Sequence, residues 1–202
     1  MECLTSVLRL SSKYLIDHIR TFALEVLVET FPDTLDTFEE GILDSSDVIK
    51  VIKVAYAINE AILLPAAFYA LSRFPTSEIL DHDLPPHILA TYCLGKGRLA
   101  TKLAIFIDDL VDDKFSEDCD DRTCRKARQS LAANAQRMLR EPLNILGSQP
   151  LGILEDLRIS NDVCCECRPL LKVALYQERH EIWNSLPKTF GFGSWDTLRE
   201  HR

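Results

Sequence analysis

Apolar residues crowd most densely between Asp47 and Phe74, in DVIKVIKVAYAINEAILLPAAFYALSRF. The early charges Lys50, Lys53 and Glu60 recur at helical spacing and mark one polar stripe. A helix that is apolar almost all round is buried on several sides, so this stretch is the expected core. Pro65 divides it, because proline lacks an N–H but fits the start of a new helix. The pattern predicts helices over Ser46–Ile58 and Pro65–Arg73, with a bend at Asn59–Leu64.

Before the core, Leu4–Leu10 and Lys13–Thr30 carry helical periodicity, with Ser11 or Ser12 as a cap for the second. Leu15, Ile19, Phe22, Ala23, Val26 and Leu27 form its predicted buried face, and Asp17, Thr21, Glu25 and Glu29 its polar one. Pro32 stops this helix, and Asp33–Asp44 is an acidic connector with a turn expected at Gly41. After the core comes a loop over Pro75–Pro86 with a short helical turn, then a short apolar segment, Pro86–Leu94. A helix is predicted over Leu99–Val111 and another over Arg122–Arg140, with Asp120 or Asp121 as its cap. Pro142–Pro150 reads as a break and Leu151–Ile159 as a short helix. Val163–Leu186 reads as a long helix interrupted near Pro169, with Leu170, Leu171, Val173, Ala174, Tyr176, Ile182 and Trp183 on its buried side. Pro187 ends it, Phe190-Gly191-Phe192-Gly193 turns, and Ser194 caps Trp195–His201. Trp183, Phe190, Phe192 and Trp195 read as an aromatic lid on the core. With no β-branched runs alternating with helices, the fold class is all-α, a bundle or stacked helical hairpins.

Composition narrows the function. A net charge of −8 over 202 residues argues against nucleic-acid binding and against an anionic membrane surface. The longest uncharged run, Ala61–Ser72, is too short to span a bilayer. MECLTSVLRL lacks a basic n-region ahead of an apolar h-region, so the expected location is cytoplasmic or nuclear. The seven cysteines are then thiols or metal ligands, not a disulfide framework.

Several apparent motifs fail on their context. Gly95–Ala100, GKGRLA, matches G-x-G-x-x-A, but a dinucleotide site needs a preceding strand and a βαβ unit. It reads as a glycine-rich loop that lets a helix start. Asp108–Asp121 carries eight acidic residues without the mid-loop glycine or terminal glutamate of an EF-hand, so calcium is not expected. The cations Arg122, Arg125, Lys126 and Arg128 follow closely and balance that run. The five histidines are scattered, and no nucleophile–base arrangement stands out. The expected role is therefore non-enzymatic.

One constellation carries chemistry. Cys119-x4-Cys124 and Cys164-x2-Cys167 supply the ligand count of a closed tetrahedral zinc site, with Cys165 able to stand in for Cys164. Arg122, Arg125 and Arg168 are the expected donors that offset thiolate charge. Inert packing of small buried thiols ranks ahead of zinc on spacing alone, and a redox cysteine ranks third.

VLRLSSKYLIDHIRTFALEVLVETFP, residues 7–32, resembles the closing helix pair of a BTB/POZ domain through Leu8, Leu10, Lys13, Tyr14, Ile16, Ile19 and Arg20. The remainder is similar to the helical C-terminal region of fungal BTB/POZ-containing proteins, in LLPAAFYALS, in the cysteine pairs and in RHEIWNSLPKTFGFGSW. The resemblance implies BTB-end helices over 1–32, a BACK-like helical domain over 33–202, and an intracellular adaptor that binds a protein partner. In that family the BTB core mediates self-association or docking to cullin-type scaffolds. Residues 1–6 are too few to supply that core, so neither property is carried over to this chain.

Overall fold

A computed structural model describes residues 1–38, 43–111, 119–140 and 150–200. The expected turn at Gly41, the acidic residues at 112–118, the break at 142–149 and His201 lie outside them. The architecture is all-α, and no strand occurs among the described residues. The chain divides into two compact units, residues 1–95 with 183–202, and residues 96–182.

In the first unit, α1 (Glu2–Lys13) packs on α2 (Asp17–Thr30) and on α3 (Ser45–Ile58). Asp44 caps α3 by accepting the Asp47 N–H at 2.8 Å. Asn59 ends α3 in the left-handed region at φ 59°, where asparagine is tolerated better than most residues. A 3₁₀ turn, Ala61–Leu63, then leads into α4 (Leu64–Ser72), with Pro65 in its first turn. Every residue of α4 is buried, which makes it the centre of this unit as the apolar run predicts. Glu60 departs from the expected polar stripe. It is only 7 % exposed and is paired with Arg20 of α2. A buried carboxylate is tolerated when it is paired in this way.

The break between the first two helices falls later than the serines suggest. Ser11 sits inside α1, where its hydroxyl donates to the Leu8 carbonyl at 3.0 Å. The chain turns instead through Tyr14, Leu15 and Ile16, with Leu15 at φ 55°. The face of α2 is correspondingly rotated. Ala23, Leu24 and Leu27 are buried, whereas Leu15 (82 % exposed), Phe22 (65 %) and Ile19 face solvent. Together with Leu10, Tyr14 and Ile16 they concentrate exposed apolar side chains in the segment 10–22.

After α5 (Thr76–Leu80), α6 runs without interruption over Pro86–Val111. It passes straight through Gly95–Ala100, so the expected glycine loop is helix. The reason lies in packing. A Cβ at Gly95 would come within 2.1 Å of two ring carbons of Phe190, which itself stacks on Phe68 at 5.4 Å. Glycine weakens a helix, but here only glycine admits the ring. The lid is formed as expected. Trp183 stacks on Trp195 at 6.3 Å, and the Trp195 indole donates to the Trp183 carbonyl at 3.1 Å. Phe190 belongs to a short helix, α10 (Leu186–Phe190), which packs on α4. Gly191 and Gly193 adopt φ of 86° and 87°, and Ser194 caps α11 (Trp195–Glu200) through the Thr197 N–H.

The second unit contains the rest of α6, α7 (Arg122–Arg140), α8 (Pro150–Asp156) and most of α9 (Cys167–Asn184). Leu99, Leu103, Phe106, Ile107 and Leu110 form the buried stripe of α6. In α7 the buried positions are Cys124, Arg128, Leu131, Ala132 and Ala135, a 3.6-residue periodicity with a cation inside it. α9 starts at Cys167 and is not interrupted. Pro169 lies in its first turn, where the missing N–H has no intrahelical partner to lose. Leu171, Ala174 and Leu175 face inward, whereas Leu170, Val173 and Tyr176, expected inside, are exposed. α8 ends at Asp156, short of the expected Ile159.

Candidate metal centre

Two helix starts bring the four cysteines together. Asp121 caps α7 by accepting the Thr123 N–H at 2.8 Å, which places Cys119 just outside the helix and Cys124 in its first turn. Cys164 lies in the loop before α9, and Cys167 is the first helical residue. The Arg168 N–H bonds the Cys164 carbonyl at 3.0 Å, closing the turn that aims both sulfurs the same way. The sulfurs of Cys119, Cys124, Cys164 and Cys167 all lie within 4.8 Å of one another. Cys119 and Cys164 approach to 3.9 Å. Tetrahedral zinc–thiolate geometry, with bonds of about 2.3 Å, requires sulfur separations of about 3.8 Å. The four sulfurs therefore stand within about 1 Å of the spacing a closed site needs. A disulfide would require about 2 Å, and all seven cysteines are free.

Backbone N–H groups face two of the sulfurs. The Cys167 N–H points at the Cys164 sulfur at 3.4 Å, and the Cys164 N–H at the Cys124 sulfur at 3.4 Å. Cys124 and Cys167 each occupy the first turn of a helix, where the dipole presents its positive end. The Cys167 backbone bond holds the Cys164 thiol down to about 7, below its ordinary value. Burial pushes the Cys124 thiol up to about 12 in the metal-free fold. The set thus contains one thiol ready to ionise and one that would ionise only with a cation beside it.

All four cysteines singled out in the sequence meet here, and Cys165 is exposed and stands outside the cluster. The expected charge-balancing arginines do not serve it. Arg122 and Arg125 are exposed, and Arg168 donates to Asn161 and to the carbonyls of Ser160 and Val163. Arg128, read from sequence as part of a surface charge block, is the cation at the site. It is 3 % exposed and its guanidinium donates to the Cys167 sulfur at 3.6 Å. Its place four residues after Cys124 and three before Leu131 was the sequence signal for burial.

The other candidate chemistry does not assemble. GKGRLA is mid-helix with no strand before it, so the phosphate-binding reading falls. No helix among the described residues is long and apolar enough to cross a membrane. No family model, curated protein or solved structure matches the chain.

Proposed function

We propose that the cysteine cluster is a closed structural zinc site that staples the start of α7 to the start of α9. The observation that carries this reading is the clustering of four sulfurs, two from each of two segments, at near-tetrahedral spacing. Four protein thiolates leave no position for substrate, so the role is to hold the fold and not to catalyse. Zinc would be bound by Cys119, Cys124, Cys164 and Cys167, and its binding free energy would appear as folding free energy of the second unit. Native mass spectrometry of chelator-free protein, with zinc quantified alongside, tests this. One zinc per chain, removable with loss of helicity, is the expected result. A metal-free chain with full helicity that takes up no zinc would return the cysteines to packing.

For the chain as a whole the reading is a non-enzymatic module that binds a protein partner, of the BTB/POZ-like kind. Two observations support it, the likeness of residues 7–32 to BTB-closing helices and the exposed apolar side chains of Leu10, Tyr14, Leu15, Ile16, Ile19 and Phe22. Contiguous exposed apolar surface commonly marks an interaction site. A folded Leu15→Asp/Phe22→Asp variant that loses a partner held by the parent chain supports it. A variant that keeps every partner argues against this surface.

A further inference from the structure

The chain carries a net charge of −8, yet one groove of the second unit reverses that sign. It has a volume of about 480 Å³ and lies between residues 154–159 and one face of α9. Leu154, Leu157 and Leu175 give it a buried apolar lining, and Tyr176 stands in it at 60 % exposure. Arg158, Arg168, Lys172 and Arg179 also line it, against one carboxylate among the described residues, that of Glu155. Arg179 pairs with Glu155 at 2.9 Å. Arg168 donates to neutral acceptors, the Asn161 side chain and the carbonyls of Ser160 and Val163. Positive charge therefore stays in excess around an apolar hollow.

Spacing decides what such a groove suits. Arg168, Lys172, Tyr176 and Arg179 follow one another at helical steps of three or four residues, so they share one face of α9. At about 1.5 Å per residue, the first and last of these cations stand about 16 Å apart along the helix axis. A single phosphate or small carboxylate is too short to meet both. An extended chain rises about 3.3 Å per residue, so about five residues of peptide cover that length. A nucleic acid or an anionic membrane is opposed by the acidic charge of the chain as a whole. We propose that this groove docks an extended acidic peptide segment of a partner protein. Alternation along such a segment turns apolar side chains toward Tyr176 and the leucines while carboxylates reach the surrounding cations. The site goes beyond the readings above, since it uses none of residues 10–22 and requires no metal.

Fluorescence anisotropy with the full chain tests this. The probe is a rhodamine-labelled peptide of alternating glutamate and leucine, with an all-glutamate peptide of equal length beside it. The parent should bind the alternating peptide more tightly than the all-glutamate one, and added salt should weaken both. Arg158→Glu/Lys172→Glu alters two exposed side chains, so helicity by circular dichroism should hold while affinity falls by about 10-fold or more. Tyr176→Ala should weaken the alternating peptide by about 5-fold or more and leave the all-glutamate peptide little changed. Leu15→Asp/Phe22→Asp should bind the probe as the parent does, which separates this site from the surface of residues 10–22. A parent that does not bind the alternating peptide, or a folded Arg158→Glu/Lys172→Glu protein that binds it as tightly as the parent, overturns the proposal. So does an oligothymidylate that displaces the probe at lower concentration than unlabelled peptide, which would make the groove a phosphate-backbone site.

Discussion

Replacing Cys124 and Cys167 by serine, singly and together, separates a shared metal site from two independent buried thiols. Both side chains are essentially inaccessible, at 0 % and 2 % exposure. Burying a hydroxyl in place of each thiol costs about 1–2 kcal/mol whatever the metal does. With free zinc about 1,000-fold above its dissociation constant, binding adds about 4 kcal/mol of stability by mass action. A closed tetrahedral site needs all four sulfurs, so either serine forfeits that contribution. Each single variant then loses about 5–6 kcal/mol, and the double loses about 7, since the metal is lost only once. The shortfall from additivity is about 4 kcal/mol, far above the 0.3–0.5 kcal/mol scatter of independent sites. Urea unfolding followed by circular dichroism, at fixed free zinc and again with chelator, measures it. In chelator the shortfall should fall below about 1 kcal/mol, leaving the packing cost alone. Additive losses in both conditions, or an equal shortfall in both, would refute the shared site.

Alkylation mapped by peptide mass spectrometry gives a second check. Exposed Cys3, Cys93 and Cys165 should react in any state, while zinc should protect the four clustered cysteines. In metal-free protein at pH 7, Cys164, held down to about 7, is partly thiolate and should react well before Cys124, pushed up to about 12. Acidification to pH 5 protonates Cys164 and should slow its alkylation by about 50-fold without changing the order. Gly95→Ala should cost about 1–3 kcal/mol by driving a methyl group into Phe190, whereas Gly97→Ala, with open space around its Cβ, should gain about 0.5–1 kcal/mol. Equal effects in urea unfolding would contradict the close approach at Gly95. Leu15→Gly should stabilise by up to about 1 kcal/mol by relieving the left-handed backbone, and Leu15→Ile should destabilise. The same unfolding measurement decides it.

The all-α class, the buried Leu64–Ser72 helix and the four-cysteine set were legible along the chain. Each rests on local information, namely periodicity, a proline at a helix start, and ligand types at short spacing. The Asp121 cap and the aromatic lid were legible for the same reason. Where a face points is not local information. Phe22 and Tyr176 are apolar and helical, yet both are exposed, because the rotation of a helix is set by what packs against it. Glycine signals a loop by propensity, but Gly95 lies within a helix, where a ring 95 residues later in the chain leaves no room for a Cβ. Arg128 looked like one more surface cation in an arginine-rich segment. Only the tertiary structure turned it inward, against the Cys167 sulfur, and only that structure brought cysteines 45 residues apart to 3.9 Å. Residue type and spacing determined which chemistry this chain can hold. Packing decided where that chemistry is assembled and which charge stands beside it.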